Sequence, residues 1–404
     1  MPEQSRLVDS RGRLAFVPPR YGTEIVGGSE AVMREAAHGL AARGWDVEIL
    51  TTCARDHYTW HNEYPAGITT DGGVTVHRFP VEGAKPKRSR TRIEARIQQG
   101  AAVSLADQLA WLDGLFRVPE LFHHLVVNAD RYDAVILSPY LFWTTVTGAT
   151  VAPERTIVMP CLHDEPYAYL DVLKPVLSDV ARLWFLSEPE HQLAHRCATL
   201  PAHDLTGAGV DIPTAYDPDG FRARHGLERP FVLFAGRREG GKGWDWLLHA
   251  FHFAIRQYNL PFDLVTIGVS PADQPADASG RVHDLGFLDT AEVPDAFAAA
   301  AAYVQPSTNE SFSRTIMEAW LAETPVLVTA GSDVLQWHCD RSGAGLTFAD
   351  EFELAQCLSF LAAAPDEAAR FAKAGREYVL ANYRWEVVLD AMEAGLEELM
   401  CASS

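Results

Sequence analysis

The stretch from Tyr303 to Val328, YVQPSTNESFSRTIMEAWLAETPVLV, leaves few choices for what surrounds it. Tyr303 and Val304 end an apolar run, and Pro306, Ser307, Thr308 and Asn309 break it. Ser311 or Ser313 can cap a helix whose apolar positions are Ile316, Met317, Ala319, Trp320 and Leu321. Thr324-Pro325 ends that helix, and Val326-Leu327-Val328 resumes a buried strand. Glu310 falls in the loop and Glu318 inside the helix. Were Ser311 to Glu318 wholly helical, the rise between the two carboxylates would be roughly 10–12 Å, too far to share a proton. Such a pair can hold opposite ends of one elongated ligand, with that ligand's phosphates at the helix N-terminus between them. The plainer alternative is a solvated helix carrying two surface glutamates.

A chain of 404 residues has room for two domains, each with its own core. No apolar run approaches the roughly 18 residues of a membrane-spanning helix. The opening MPEQSRLVDSRGR lacks the apolar core of a signal peptide, so a cytoplasmic location is expected. Six cysteines are scattered without a C-x-x-C pair, so neither zinc nor a disulfide framework is indicated. The net charge of −20 disfavours nucleic acid and broad contact with anionic membranes, which leaves membrane contact at most peripheral. A phosphate-bearing ligand must then be met by local positive charge.

The first half opens with a short strand, LAFV, and a loop ending in Gly27-Gly28. A helix from about Ser29 to Arg43 and the strand VEILT complete a β–loop–α–β unit. The glycine pair lets backbone approach a phosphate closely, or serves as a plain tight turn; the dinucleotide fingerprint G-x-G-x-x-G is absent. Lys85 to Arg96 holds the densest positive charge, read as a solvated or mobile loop, with an anionic acceptor or lipid head group as the other possibility. Ala101 to Leu125 is a leucine-rich helical stretch. DAVILS is a buried parallel strand, and Tyr140, Phe142 and Trp143 at its C-terminal end either border an acceptor pocket or fill core. His163 lies just past the next strand, beside Asp164 and Glu165; adjacent positions cannot all point inward to one metal. From Leu205 glycine, proline and aspartate crowd together as at a domain linker, and the D-x-D at Asp217-Pro218-Asp219 reads as an exposed turn. The second half begins with the buried strand Phe231 to Ala235, followed by Gly236-Arg237 and then by Lys242-Gly243 leading into a helix. Arg237 and Lys242 stand where an acidic chain would need positive charge.

These residues resemble a known family. P-S-x-x-E-x-F-x-x-x-x-x-E-A from Pro306 to Ala319, with Thr324-Pro325-Val326 after it, resembles the donor-site motif of the retaining glycosyltransferases of family 4, the glycosyl transferases group 1. Gly236-Arg237 to Lys242-Gly243 resembles that family's G-R-x-x-x-x-K-G, and Gly27-Gly28 with the later L-A-x-R-G-W-x-V looks like its usual opening. Tyr383-x-Trp385 matches a recurrent step before the last helix. One departure stands out: Ser311 and Ser313 replace the two glycines of the common E-G-F-G.

The resemblance implies a GT-B fold in the α/β class: two Rossmann-like domains with parallel sheets facing a central cleft, and a C-terminal helix crossing back to the first domain. The expected division is 1–204, an acceptor-side domain, 205–384, a nucleotide-sugar-binding domain, and 385–404, the returning helix. The implied activity is transfer of a sugar from a nucleotide-diphosphate-sugar to a hydroxyl of a small-molecule, glycan or lipid-linked acceptor, with retention and without metal or other cofactor. In that frame Glu318 binds the ribose hydroxyls and Arg237 and Lys242 hold the diphosphate. Ser313, Arg314 and Thr315 offer the helix N-terminus, Glu310 orients the transferred sugar, and His163, Gly27 and Gly28 complete the site. A catalytically inactive sugar-nucleotide-binding protein and a nucleotide-sugar epimerase are the alternatives; an NAD-linked dehydrogenase is disfavoured without the glycine fingerprint.

Overall fold

The computed structural model describes residues 11–25, 27–83, 88–238, 240–268 and 279–402. The chain divides into two compact units, one taking in everything up to Gly209 together with the segment from Trp385 onward, the other Val210–Arg384. The first unit extends past position 204 because its last strand still pairs through Leu205, and Thr206 then donates its backbone N–H to the Phe185 carbonyl at 2.9 Å.

The described residues of the first unit form an eight-stranded sheet from β1 (Arg13–Val17), β2 (Asp46–Thr52), β3 (Gly67–Asp71), β4 (Val74–Phe79), β5 (Ala134–Leu137), β6 (Thr156–Val158), β7 (Arg182–Phe185) and β8 (Ala202–Leu205). Their spatial order is β3-β4-β2-β1-β5-β6-β7-β8, and every pair is parallel except β3 with β4. Strands with helices on both faces must bury both rows of side chains, which is why β5 and β7 are buried at every position while the edge strand β3 is not. The final helix, Trp385–Ala402, is part of this unit. Its Glu393 accepts from Trp45 Nε1 and Arg43 Nη1, both at 2.8 Å, and its Glu398 accepts from Arg182 at 2.6 Å.

The second unit's strands are β9 (Phe231–Ala235), β10 (Asp263–Ile267), β11 (Val282–Asp284), β12 (Ala302–Gln305), β13 (Val326–Thr329) and β14 (Leu346–Phe348). They order as β11-β10-β9-β12-β13-β14, all parallel. Numbered from the first strand of the unit, that is 3-2-1-4-5-6, the doubly wound order of nucleotide-binding sheets. It places a topological switch point between β9 and β12, where loops diverge to opposite faces and leave a crevice.

Several expected details are corrected. The stretch Ala101 to Leu125 is two helices, Leu105–Asp113 and Pro119–Asn128; Ser104 caps the first, Gly114 ends it, and Pro119 starts the second. Lys85, Pro86 and Lys87 of the basic stretch lie outside the described residues. The remainder is a packed helix, Arg88–Gln98, with Ile93 and Ile97 buried, Arg90 donating to the Gly114 carbonyl at 2.9 Å and Arg96 paired with Asp107. Asp217 is an N-cap, accepting from the Gly220 N–H at 3.0 Å to start the helix Pro218–His225.

Candidate active site

The core of the second unit's site is a short list of side chains at its switch point. β12 is buried throughout and ends at Gln305. The loop beyond it carries Pro306 to Ser313, and the next helix is Arg314–Leu321, starting directly after Ser313 and ending before Thr324-Pro325. Neither Ser311 nor Ser313 caps it through its side chain. Ser313 occupies the N-cap position in left-handed backbone, φ 69°, with no side-chain cap bond. The glycine of the common motif is thus replaced by a residue that keeps a glycine conformation, at the cost of backbone strain. Ser313→Gly is expected to raise unfolding stability by about 1 kcal/mol, read from chemical denaturation; an unchanged or lower midpoint would contradict a strained loop.

The loop is held by Phe312, 3% exposed, whose ring meets His338 and Tyr383 edge-on at 5.1 and 4.9 Å. His338 is fully buried and its Nδ1 lies 3.0 Å from the Tyr378 hydroxyl. Burial, with the charge of Arg341 adding to it, pushes the His338 pKa down to about 3 from 6.5. The folded value lies below the unfolded one, so the neutral ring contributes stability in full above about 6.5 and loses it as pH falls toward 3. Acidification from pH 7 to 4 is therefore expected to narrow the stability gap between the wild type and His338→Phe, followed by urea denaturation. A constant gap would remove His338 from the acid response.

Lys242 comes to this loop from the β9 side. Gly243, at φ 72°, sits so close to β12's loop that a Cβ on it would lie 2.8 Å from the Pro306 carbonyl oxygen, so only glycine lets the two loops touch. The contact brings Lys242 Nζ within 2.7 Å of Glu310 Oε1, with the lysine side chain 30% and the glutamate 10% exposed. Gln305 Nε2 donates to the same oxygen at 2.9 Å. Thr315 Oγ1 donates to Gln305 Oε1 at 3.3 Å and lies 3.2 Å from Ser313 Oγ. Lys242, Glu310, Ser313 and Thr315 thus belong to one connected group. Arg314 and Glu318 lie on the helix that starts there, both half-buried, and half-buried Arg237 lies on the Lys242 loop immediately after β9. Beside it, buried Arg238 pairs with Asp284 and lies 5.5 Å from the Trp244 ring centre. Gln305 went unnoticed in the sequence; a single amide ending an apolar strand carries no motif.

Gly27, Gly28 and His163 belong to the first unit, at the C-terminal ends of β1 and β6, whose own switch point lies between β1 and β5. Gly27 is the N-cap and Gly28 the first residue of the helix Gly28–Ala42. Beneath them the buried pair Arg20–Glu30 braces the turn, with Arg20 Nε and Nη2 donating to Glu30 Oε1 at 3.0 and 2.5 Å. His163 is one-third exposed with Nδ1 3.8 Å from Glu165 Oε1, and Glu165 in turn accepts from the Tyr140 hydroxyl at 3.0 Å. A second unforeseen residue orders this loop. Glu190, fully buried, accepts from Leu162 N–H at 2.7 Å and Leu186 N–H at 2.6 Å and so ties the loops after β6 and β7 together. Burial pushes its pKa up to about 8 against the pull of those backbone donors.

Among the described residues no group of three or more His, Cys, Asp or Glu is arranged to hold a metal ion, and no helix is long and apolar enough to cross a membrane.

Comparison with known proteins decides between the families that use such a sheet. Residues 229–364 match the family model described as glycosyl transferases group 1. D-inositol 3-phosphate glycosyltransferase of Frankia alni is 31% identical over 336 residues, covering 76% of this chain and 79% of the relative. The chain is a group 1 glycosyltransferase, of family 4. The transferase shares its fold with sucrose-phosphate synthase from Thermosynechococcus elongatus, at TM-score 0.74 and 21% identity over 97% of this chain and all of that one. It shares it also with the Anabaena protein HepE in complex with UDP-glucose, at TM-score 0.70 and 16% identity over 96% and 100%. The two doubly wound units are those of the GT-B fold, and the transferase is a nucleotide-sugar-dependent enzyme.

Proposed function

We propose that the transferase seats a nucleoside-diphosphate sugar at the β9–β12 switch point and passes the sugar, with retention and without a metal ion, to an acceptor hydroxyl in the cytoplasm. The observation that carries this reading is the Lys242–Glu310 contact of 2.7 Å, which puts a cation and a carboxylate side by side where the loops after β9 and β12 meet, at the switch point of the sheet. Lys242 and Arg237 meet the diphosphate as a point charge and a planar fork, and stabilise the charge it gains when the sugar leaves. The backbone of Ser313, Arg314 and Thr315 adds the N–H groups of a helix N-terminus. Glu318, farther along that helix, takes the ribose hydroxyls. Glu310 orients the transferred sugar. To the first unit we assign His163 as a contact to that sugar, and the Gly27-Gly28 turn as backbone for a phosphate; a Cβ on Gly28 would meet nothing within 4 Å, whereas one on Gly27 would overlap Glu30 Oε2. The leaving phosphate oxygen accepts the acceptor's proton on the face where the new bond forms, which is the route to retention.

A structural relative holds UDP-glucose, which makes it the first donor to try. A thermal-shift panel of UDP-, GDP-, ADP- and dTDP-glucose is expected to yield one ligand that stabilises the protein by about 2.7 kcal/mol when present at about one hundred times its dissociation constant. That donor should then release its nucleoside diphosphate with EDTA present. Product with inverted anomeric configuration, or activity abolished by EDTA and restored by a divalent ion, would overturn the retaining, metal-independent part.

A further inference from the structure

We infer that Gln305 is a positioning residue for sugar transfer: it sets the rotation of the Glu310 carboxylate, so that one oxygen is held by the protein and the other faces the sugar. The inference rests on the reading of Glu310 as the group that orients the transferred sugar.

Gln305 is 4% exposed and ends β12 at the switch point. Its amide is held from both ends. Oε1 accepts from the hydroxyls of Tyr303 and Thr315, and Nε2 donates to Glu310 Oε1 at 2.9 Å. An ionised carboxylate only accepts, so the NH2 end must face Glu310 and the carbonyl end the two hydroxyls. Tyr303 is fully buried and burial holds its proton on, so its hydroxyl has a proton to donate to Oε1. A rigid strand thereby passes its orientation through a tyrosine and an amide to the carboxylate. Lys242 Nζ reaches the same Oε1 at 2.7 Å, so both donors converge on one oxygen and Oε2 is the one left for a sugar hydroxyl. Lys242 alone, on a flexible stem, would fix charge but not rotation. The charged and titratable groups around the amide are Glu310, Lys242 and Tyr303, with Glu318 near enough to act on Tyr303.

The test compares wild type, Gln305→Leu, Gln305→Glu and Glu310→Gln in the full chain. The donor is whichever of UDP-, GDP-, ADP- and dTDP-glucose the wild type turns over, and the corresponding nucleoside diphosphate is titrated separately. Gln305→Leu is expected to lower kcat about tenfold to a hundredfold while leaving diphosphate affinity within about threefold, because the diphosphate is held by other groups. Gln305→Glu is isosteric but sets two carboxyls face to face, and such a pair shares one proton. It should work at acidic pH, where the shared proton bridges the pair, and lose activity as pH rises and both ionise, a falling limb absent from the wild type and from Gln305→Leu. If Glu310→Gln is slow but Gln305→Leu turns over like the wild type, or Gln305→Glu keeps the wild-type pH profile, the positioning role falls and the reading of Glu310 survives. If the wild type uses none of the four donors, or Glu310→Gln turns over normally, that reading falls and takes this role with it.

Discussion

Lys242→Met is expected to slow sugar transfer by about a hundredfold to a thousandfold, the loss seen when one preorganised charge facing a developing anion is removed. Glu310→Gln should fall in a similar range, for a different reason: an amide can still touch a sugar hydroxyl but cannot answer Lys242 with charge. Because the two side chains meet at 2.7 Å, the losses should not add. In the double variant neither partner is left unmatched, so its turnover should lie within about tenfold of the worse single variant rather than near the product of both. The measurement is release of nucleoside diphosphate from the donor, with circular dichroism and a thermal melt confirming that each variant is folded. Wild-type turnover in either single variant would remove the pair from the chemistry. Strict additivity would mean that the contact is a resting arrangement, opened before either group acts.

The family resemblance put Lys242 and Glu310 in one donor site, at the diphosphate and at the sugar, but did not foresee their direct contact, since they lie 68 residues apart and pairing across that distance is set by strand order. Strand order is what local pattern cannot show. The apolar runs FVLFA and AYV announce buried strands, but nothing in them says that β9 and β12 are neighbours and that β10 and β11 turn the other way. The first unit reads the same way. Val17, Leu137 and Val158 end legible strands, while the bond from Leu162 N–H to Glu190 that orders the His163 loop depends on a fully buried carboxyl 28 positions later. Family motifs do better where they encode backbone. The family's glycine pattern marked positions 311 and 313 as unusual, and of the two serines there Ser313 takes the left-handed conformation that favours glycine. Motifs do worst with supporting residues. Gln305 and His338 act through neighbours, so their chemistry becomes visible only when Glu310 and Phe312 are seen against them.

Gly375→Ala should be among the most destabilising single substitutions in the second unit, by about 3 kcal/mol. Gly375 lies in the helix Pro365–Asn382, against the helix Arg314–Leu321 that carries the proposed phosphate site. A Cβ there would overlap the Trp320 indole at Cδ1 and Cγ and stand 2.6 Å from Nε1. The indole has no room to retreat: Trp320 is 0% exposed and meets Tyr378 edge-on at 5.9 Å. A tightly packed interior answers an added methyl by moving whole elements, and one of the two helices pressed apart at this contact carries Arg314 and Glu318. Equilibrium denaturation should show the loss of stability, and ligand titration should show nucleoside diphosphate binding weakened alongside it. Trp320→Ala combined with Gly375→Ala should cost less than the sum of the two single losses, since truncation removes the Cγ and Cδ1 atoms that the new methyl would meet; Trp320→Ala alone should cost stability by leaving a void. A Gly375→Ala protein as stable as the wild type would show that this helix pair is not clamped, and that the site helix takes its position from the β12 loop alone.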